Sequence, residues 1–542
     1  MSTRHALPRP AIGSKTPKLF NRFRSTVETA FYRNNVIPVH TLEEAYRLAR
    51  QSEGTIETDL PVYKAESLGL PEDAKVLLFN DGAITGRQAK ARRIITEETM
   101  DRYASLTREG IFQGRKKTMY KASVIIGLDE AFSVKAHLLV PEGYENTLYS
   151  WMLNFQPLTD QFKAMYKDST PYEEGDIFIY ADPDYLVDGF EEGISIFDSE
   201  HNALALFGMR YFGEFKKGTL TLAWSIAERQ GFTPCHGGMK TMKRKGGSFV
   251  MGVFGLSGSG KSTITHATHG SESAPDVLHD DAFVIRNKDR ISVSMEPSYF
   301  DKVQDYPTDS KDNRFLLTLQ NTGATLDEDG LIVPVNEDIR NGNGRAIKSQ
   351  FWTPKRRFVF KEPLNAIFWI MKDDSLPPVL KLEDPVLSST FGATLATKRT
   401  SAEYGVKHGE LTFEPYANPF RLYPLKSDYH HFKALFETHG VSCYILNTGA
   451  FESREIDKAT TLGAIERIAD DTAAFEPFLG LPGIKRMKVQ GFDDLDPDPS
   501  KVQNRLEKRR AYIENLDANN ALPEETTEAL AHLIETIKGA SK

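Results

Sequence analysis

The sequence predicts a mixed α/β fold, and three observations support this class. Short apolar runs that end in Asp, Asn or Gly predict strands. Amphipathic stretches such as LEEAYRLARQ (42–51) lie between these runs and predict helices. The unbroken apolar run SFVMGVFG (248–255) is typical of a strand buried on both faces, and a glycine-rich loop and a helical pattern follow it.

The predicted elements divide into two lobes at about residue 240. We expect an N-terminal lobe over residues 41–240 and a C-terminal lobe over residues 241–542. The stretch KTMKRKGG (240–247) is predicted to be a basic turn that ends in glycine. Candidate strands of the first lobe are AKVLLFNDG (74–82), YKASVIIGLDE (120–130), DIFIYADPD (176–184) and NALALFGMRYFG (202–213).

The second lobe is predicted to contain further buried strands and C-terminal helices. Candidate strands are DVLHDD (276–281), NAIFWIM (365–371) and VSCYILNTG (441–449). The helical pattern DYHHFKALFETHG (428–440) is expected to end at Gly440. The last helical pattern, ETTEALAHLIETIKG (525–539), is expected to pack through its apolar stripe and to end before Gly539.

Composition excludes several classes of protein. The 542-residue chain carries a net charge of −8, whereas a nucleic-acid-binding protein is expected to be basic. No apolar run reaches the roughly 18 residues that a membrane-spanning helix needs. Cys235 and Cys443 are the only cysteines, which argues against a disulfide framework and favours a reducing compartment, with the cytoplasm as the default.

The first 40 residues are basic and contain Glu28 as their only acidic residue. This composition fits a transit peptide, but a flexible basic arm is the simpler interpretation and the one that we adopt.

The segment GLSGSGKST (255–263) matches the full phosphate-loop pattern G-x-x-x-x-G-K-[ST]. Glycines permit the backbone angles that turn consecutive N–H groups onto phosphate oxygens, the lysine supplies a point charge, and the serine hydroxyl can bind a divalent cation. The loop therefore predicts nucleotide binding by Gly255, Leu256, Ser257, Gly258, Ser259, Gly260, Lys261, Ser262 and Thr263.

A pair of aspartates follows the loop at the end of a candidate strand. Asp280 and Asp281 in HDDAF come 18 and 19 residues after Ser262. A carboxylate at this position can ligate or orient the cation that accompanies the nucleotide, and a turn-capping role is the alternative.

Two further stretches, YFGEFKKG (211–218) and CHGG (235–238), are not explained by a generic ATPase. Taken with ITGRQAKAR (84–92), GLSGSGKST and HDD in the same order, they resemble the ATP-dependent phosphoenolpyruvate carboxykinases. SLPPVLKLEDP (375–385) and YILNTG (444–449) are similar to later segments of that family, and the resemblance runs from about residue 75 to residue 520. It implies a two-lobed fold with the phosphate loop in the C-terminal lobe and a mobile lid at about 387–405.

The resemblance also implies roles for individual residues. Lys217, His236 and Asp281 would bind Mn²⁺, and Ser262 and the nucleotide phosphates would lie near a second cation such as Mg²⁺. A lysine that ligates a cation has to be neutral, because a protonated amine has no lone pair to donate. The catalytic residues implied are Arg87, Tyr211, Lys217, Ser257, Lys261 and Arg345, and those implied at the adenine nucleotide are Arg454, Glu455 and Thr460.

The implied reaction is the conversion of oxaloacetate and ATP to phosphoenolpyruvate, ADP and CO₂, a step of gluconeogenesis. The flanks depart from the family pattern, since the aspartates continue as DDAFVI and Arg345 lies in GNGRAIKS. These departures concern nucleotide preference and the exact substrate more than phosphoryl transfer. The family analogy alone suggests a monomer.

Two alternatives remain open from the residues. One is a divergent kinase of the same fold that phosphorylates another small acid or a protein, and the other is a non-catalytic nucleotide-binding regulator. Arg87 and Tyr211 favour the carboxykinase over the kinase, because a hydroxyl substrate needs no carboxylate clamp. The full set of cation-binding residues argues against the regulator, since a sensor needs the loop but not the cation site.

Overall fold

The computed structural model describes residues 21–80, 91–244, 247–256, 258–269, 274–303, 310–338, 344–398 and 411–540. The chain divides into two compact units, one from residues 1–226 and 295–352 and the other from residues 227–294 and 353–542. The predicted division at residue 240 differs from this one, because residues 295–352 return to the first unit.

The α-helices within the described ranges follow the chain in this order: α1 Arg22–Ala30, α2 Leu42–Gln51, α3 Met100–Gln113, α4 Glu145–Asn154, α5 Asp160–Lys167, α6 Phe212–Arg229, α7 Lys261–His266, α8 Pro385–Ala393, α9 Leu425–His439, α10 Lys458–Ala469, α11 Pro499–Glu514 and α12 Glu524–Ala540.

The strands up to residue 294 are β1 Val36–Pro38, β2 Thr55–Pro61, β3 Lys75–Phe79, β4 Arg92–Ile94, β5 Met119–Asp129, β6 Phe132–Pro141, β7 Gln156–Pro157, β8 Ile177–Asp182, β9 Ile194–Asp198, β10 Ala203–Phe207, β11 Phe232–His236, β12 Gly238–Arg244, β13 Gly247–Phe254, β14 Asp276–His279, β15 Ala282–Arg286 and β16 Ser292–Ser294.

The strands after residue 294 are β17 Tyr299–Lys302, β18 Leu316–Gln320, β19 Thr322–Leu326, β20 Ile332–Asp338, β21 Arg345–Lys348, β22 Val359–Phe360, β23 Ala366–Met371, β24 Val379–Leu382, β25 Ala396–Lys398, β26 Leu411–Phe413, β27 Ser442–Asn447, β28 Ala450–Phe451, β29 Arg454–Glu455, β30 Phe475–Pro477 and β31 Ile484–Met487.

The first unit contains two large mixed sheets in its described part. The larger has the strand order β1-β5-β6-β8-β10-β9-β4, with β7 paired to β5, and the smaller has the order β17-β21-β18-β3-β2. Strands β8, β9 and β10 are buried along their whole length. This burial explains why their sequences are continuous apolar runs rather than alternating ones.

The second unit is built around an eight-stranded sheet of order β14-β12-β13-β23-β27-β24-β31-β30. The side chains of β13 alternate between two apolar clusters: Val250 and Phe254 belong to one, and Met251 and Val253 to the other. Helices α8, α9, α11 and α12 supply the first cluster, and α7 and α10 supply the second. A strand covered on both faces needs apolar residues at every position, as its sequence predicts.

Four local predictions differ from the structure. The predicted flexible arm over residues 1–40 is folded from Arg22 onward, because α1 buries Phe23 and Val27 in an apolar cluster of the first unit. The predicted lid over residues 387–405 begins as α8, whose residues from Leu387 to Ala393 are buried. Residues 399–405 of that segment lie outside the described residues.

The predicted basic turn at 240–247 is mostly strand. Residues Gly238–Arg244 form β12, in which Lys240 is 1% exposed while Lys243 and Arg244 are exposed. Charge alone predicted a turn, but pairing with β13 and β14 on both sides holds this segment within the sheet. At the C-terminus, α12 continues through Gly539 to Ala540 instead of ending before it.

Candidate active site

The glycine-rich loop joins β13 to α7 in the second unit. Gly258 and Gly260 have φ of +79° and +95°, the left-handed region that residues with a Cβ avoid. A Cβ at Gly255 would clash with Oγ of Ser259 in the same loop and would lie 2.9 Å from the Cβ of Ile370 on β23, so no side chain fits there. The hydroxyl of Thr448, at the end of β27, donates to the Ser259 carbonyl at 2.8 Å. The loop is therefore held in a defined shape by a neighbouring strand.

Helix α7 begins at Lys261, and Ser262 and Thr263 in its first turn are exposed. Their side chains are accessible to a ligand from solvent, as binding to nucleotide phosphates requires. Ser257, which is predicted to lie near the substrate, and Arg87 of the predicted carboxylate clamp are outside the described residues.

The turn between β14 and β15 carries the two aspartates. His279 shapes this turn, because its Nδ1 accepts hydrogen bonds from the backbone N–H groups of Asp281 at 2.9 Å and Ala282 at 3.1 Å. Sequence reasoning gave His279 no role, since an isolated histidine carries no signal of a turn-forming function.

Asp280 is buried, and its Oδ2 lies 3.4 Å from Nε2 of His266 at the end of α7. Burial by itself would raise the pKa of Asp280, but contact with His266 and the nearby charge of Lys261 hold that pKa well below its usual value. Asp280 therefore stays ionised and balances positive charge on the loop helix.

His236 and Asp281 meet at the ends of neighbouring strands. β11 pairs antiparallel with β15, and the Gly237 N–H donates to the Asp281 carbonyl at 3.0 Å. Nε2 of His236 then lies 2.9 Å from Oδ1 of Asp281. Two neighbouring ligands of an octahedral cation with bonds of about 2.1 Å would lie about 3.0 Å apart, so this spacing suits a shared Mn²⁺ or Mg²⁺.

The second ring nitrogen of His236, Nδ1, is held by the segment before α9. Nδ1 of His236 contacts the Ala417 carbonyl, and the ring meets Phe420 edge-on with centroids 5.5 Å apart. Tyr416 and Ala417 have φ of +53° and +55°, which is strained for residues other than glycine. Because a carbonyl only accepts, Nδ1 carries a proton. Nε2 faces the Asp281 carboxylate, which also only accepts, so Nε2 donates to it in the absence of a cation and has to release that proton before its lone pair can bind one.

Within the described residues, no cluster of three or more His, Cys, Asp or Glu side chains could hold a metal. The His236–Asp281 pair fits a cation in geometry and donor chemistry, but it supplies only two protein ligands. Further ligands have to be of another type, such as an amine, a hydroxyl, phosphate oxygens or water.

The first unit holds Tyr211, Lys217 and Arg345. Lys217 lies in the second turn of α6, is partly buried, and has its Nζ 5.8 Å from the centre of the Trp224 ring. The preceding Lys216 forms an ion pair with Glu296, in which Nζ lies 3.0 Å from Oε1 and both side chains are fully buried. The guanidinium of Arg345 lies 5.6 Å from the centre of the Tyr211 ring. The predicted carboxylate-binding residues Tyr211 and Arg345 are thus neighbours.

Helix α6 is tied to the end of the segment 84–92. The guanidinium of Arg92 donates two hydrogen bonds to the carboxylate of Glu214, at 3.0 and 3.1 Å, with both side chains largely buried. Sequence reasoning missed this pair, because nothing in either stretch indicates which charges meet.

Arg345 also lines a small pocket of the first unit. In antiparallel register it pairs with Gln320 of β18, and Ser150 and Thr318 also line the pocket. In the described structure, the hydroxyls of Ser150 and Thr318 and the amide of Gln320 are buried without a hydrogen-bonding partner. Such groups can be satisfied by water or by a small polar ligand.

The residues predicted at the adenine nucleotide lie after β27. Arg454 and Glu455 form the exposed strand β29, and Arg454 pairs with Asp494 at 3.0 Å. The Thr460 N–H donates to Asp457 at 2.7 Å, which caps α10. Asp457 and Asp494 were not anticipated, because a cap and a surface ion pair depend on tertiary geometry.

Comparison with known proteins agrees with these motifs. The family model for phosphoenolpyruvate carboxykinase matches residues 63–471, which is most of the chain. The chain belongs to this family. It is also similar to proteins named phosphoenolpyruvate carboxykinase (ATP) from three eukaryotes. They are those of Dictyostelium discoideum (22% identical, covering 69% of this chain and 68% of the relative), Candida glabrata (23%, 76% and 79%) and Saccharomyces cerevisiae (22%, 79% and 82%).

Among the described residues, no helix of this carboxykinase-family chain is long and apolar enough to cross a membrane. Cys235 and Cys443 are both buried as free thiols.

Proposed function

We propose that this protein is an ATP-dependent phosphoenolpyruvate carboxykinase, which converts oxaloacetate and ATP into phosphoenolpyruvate, ADP and CO₂. The observation that carries the proposal is the 2.9 Å approach of His236 Nε2 to Asp281 Oδ1, in the same unit as a phosphate loop of positive-φ glycines. A cation at this pair, close to nucleotide phosphates, is what metal-assisted phosphoryl transfer requires.

In the proposed reaction, the bond between the carboxylate to be lost and its neighbouring carbon breaks, and its electron pair becomes that of an enolate. The enolate oxygen attacks the γ-phosphorus of ATP in line, and the bond to the β-phosphate oxygen breaks to release ADP. Bound cations, Mn²⁺ at Lys217, His236 and Asp281 and Mg²⁺ near Ser262, would supply charge stabilisation for the enolate and the phosphoryl group.

The remaining roles belong to cationic and polar side chains. Arg87 and Arg345 are proposed to hold the substrate carboxylate and the transferring phosphoryl group, because planar guanidinium groups bind such anions in bidentate fashion. Tyr211 and Ser257 are proposed to contact the carboxylates, and Lys261 the β- and γ-phosphates. Exclusion of water protects the enolate, which would otherwise be protonated to pyruvate.

The adenine nucleotide is proposed to be bound by the loop residues from Gly255 to Thr263 together with Arg454, Glu455 and Thr460. Support comes from the bond between Thr448 and the Ser259 carbonyl, which joins the loop to the strand that leads to these three residues. We further propose a monomer in the cytoplasm, a compartment compatible with two reduced thiols.

A coupled assay tests the proposal in the carboxylation direction. The purified protein is mixed with phosphoenolpyruvate, bicarbonate, ADP and Mn²⁺, and the oxaloacetate formed is followed by its reduction with NADH and malate dehydrogenase. We expect turnover that requires all four components, and GDP in place of ADP reports the preference for the base.

Asp281→Asn is expected to abolish this turnover, whereas the matched control Asp289→Asn, in the turn after β15, is expected to retain it. Absence of oxaloacetate with the wild-type protein, under conditions where a known carboxykinase is active, would refute the proposal. Phosphorylation of another acid or of a protein, when ATP replaces ADP and phosphoenolpyruvate, would favour the divergent kinase.

A further inference from the structure

A buried lysine lies on the strand that precedes the phosphate loop. Lys240 of β12 is 1% exposed and pairs across the sheet with Met251 of β13. Its ammonium group donates to the carbonyls of Ile264 and, at 3.2 Å, of Ala267, and lies 2.5 Å from Nε2 of His269. These three acceptors match the three N–H bonds of a lysine ammonium, so the group is fully satisfied.

Burial of an ammonium group costs its hydration free energy, whereas an apolar side chain of the same length would fill the space without this cost. The presence of a lysine here therefore indicates a specific role for its hydrogen bonds. Burial lowers the pKa of Lys240 to about 7, an effect partly offset by the carboxylate of Glu466 on α10. Burial and the charge of Lys240 lower the pKa of His269 to about 4, so this imidazole is neutral at physiological pH and can accept a hydrogen bond.

The partners of Lys240 lie at the end of the loop helix. α7 is only six residues long, and a helix of this length has its position set by tertiary contacts rather than by its own hydrogen bonds. A Cβ at Gly238 would clash with the Thr265 hydroxyl, so α7 lies directly against β12. Lys240 fastens the last turn of this helix, and Lys261 and Ser262 occupy its first turn.

We propose that Lys240 is a positioning residue for the nucleotide, which fastens α7 to β12 and thereby holds Lys261 and Ser262 in the arrangement that binds phosphate. The inference rests on the proposed function in one respect, that the loop binds an adenine nucleotide. It adds a residue outside the loop that controls nucleotide affinity without touching the ligand.

Replacement by an uncharged side chain of similar length tests this role. Lys240→Met is compared with Lys243→Met, an exposed position on the same strand, and binding of ADP with Mg²⁺ is measured by titration calorimetry at pH 6.5. We expect Lys240→Met to weaken ADP binding about tenfold or more, because hydrogen bonds to a charged group are lost. In the carboxykinase assay, the KM for ADP should rise more than kcat falls, and Lys243→Met should match the wild type in both.

The pH profile of ADP binding provides a readout that a purely structural role would not alter. Loss of the Lys240 proton above about pH 7 removes one donor, so the wild-type Kd is expected to rise between pH 6 and pH 8.5. The titratable groups that act on Lys240 in the described structure are His269, neutral over this range, and Glu466. The nucleotide phosphate, with a pKa of about 6, would strengthen binding as the pH rises, which is the opposite direction.

Lys243→Met should follow the wild-type profile, and Lys240→Met should lack the rise in Kd. A folded Lys240→Met protein with the Kd and profile of the wild type would overturn the inference while leaving the proposed function intact. If that variant does not fold, the wild-type profile decides, and a Kd that stays level or falls up to pH 8.5 overturns the inference. A wild-type protein that binds no ADP would refute the proposed function itself.

Discussion

At the scale of single residues, His236 shows how a backbone carbonyl can prepare a side chain for a cation. Ala417 faces Nδ1, and Asp281 faces Nε2 at 2.9 Å. The carbonyl has no proton to give, so it fixes which nitrogen of a neutral ring keeps its lone pair. The strained φ of Tyr416 and Ala417 indicates that packing around this segment, and not its local preference, places that carbonyl.

Lys217→Met is expected to reduce turnover by roughly 100-fold or more, since loss of a proposed cation ligand affects both binding and charge stabilisation. The measurement is the coupled assay together with Mn²⁺ binding by electron paramagnetic resonance. Lys163→Met, at an exposed position of α5, is the control and should leave both unchanged. Wild-type Mn²⁺ affinity in Lys217→Met would show that this lysine is not a ligand.

At the scale of elements, the phosphate loop requires glycine for two different reasons, backbone conformation at one position and lack of space at another. Gly260 has φ of +95° and open space around it, whereas Gly255 is crowded by Ile370. Gly260→Ala is expected to destabilise the loop by about 1–2 kcal/mol through backbone strain alone. Gly255→Ala introduces a steric clash instead, and we expect it to weaken ADP binding more than Gly260→Ala does. Calorimetric titration of both variants checks this order, and equal or reversed effects would contradict it.

Helix α9 carries a buried acid whose ionisation opposes folding. Burial raises the pKa of Asp428 to about 7, although Tyr423 donates to it at 2.9 Å. In the unfolded chain its pKa is about 3.9, so between these values the native state holds a proton that the unfolded chain has released. The stabilisation by this group is therefore present at low pH and is lost as the pH rises through about 7.

Asp428→Asn should remove this dependence. The free energy of unfolding of the wild type, relative to the variant, is expected to fall between pH 5 and pH 8 in urea titrations. Glu437→Gln, at an exposed site of the same helix, should behave as the wild type. A constant difference between wild type and Asp428→Asn over this range would mean that Asp428 does not titrate there.

Sequence reasoning was most successful for elements with strong local signals. Helix α2 coincides with the predicted range, α9 ends at His439 with Gly440 as its cap, and the predicted apolar runs contain strands β3, β5, β8, β10, β13, β14, β23 and β27. It missed features that arise only from packing. The basic residues around Lys240 led to the prediction of a turn where β12 lies. The positive charge of the first 40 residues led to the prediction of a flexible arm, although α1 has an apolar stripe.

For the candidate site, the sequence predicted the positive φ of Gly258 and Gly260 and the approach of His236 to Asp281, whereas the cation itself stays a prediction. It could not predict the Ala417 carbonyl, the turn-forming role of His279 or the Arg92–Glu214 pair, because each joins segments that are distant in sequence or depends on a backbone conformation.

At the scale of the whole molecule, the core extends beyond the region that matches the family. The match ends at residue 471, yet Val502 and Leu506 of α11 and Leu530 and Leu533 of α12 belong to the same apolar cluster as the central sheet. The C-terminal helices are therefore part of the folded core of the second unit and not an appendage to it.

Leu533→Ala is expected to destabilise the protein by about 2–5 kcal/mol, because it leaves a cavity in this cluster. Glu535→Ala, at an exposed position of α12, is the matched control and should change stability by at most about 0.5 kcal/mol. Chemical denaturation followed by circular dichroism measures both. Equal effects of the two substitutions would exclude α12 from the core.

The ion pair between Arg454 and Asp494 joins two exposed side chains, one on the strand β29 and the other in the loop before α11. Such pairs are weak and are screened by dissolved salt. If Arg454 binds the nucleotide, the ion pair with Asp494 holds its guanidinium near the binding position before the nucleotide arrives, and this weak pair is easily broken. The ligand then has to replace only this weak ion pair, and the Arg454 side chain needs little rearrangement to bind it.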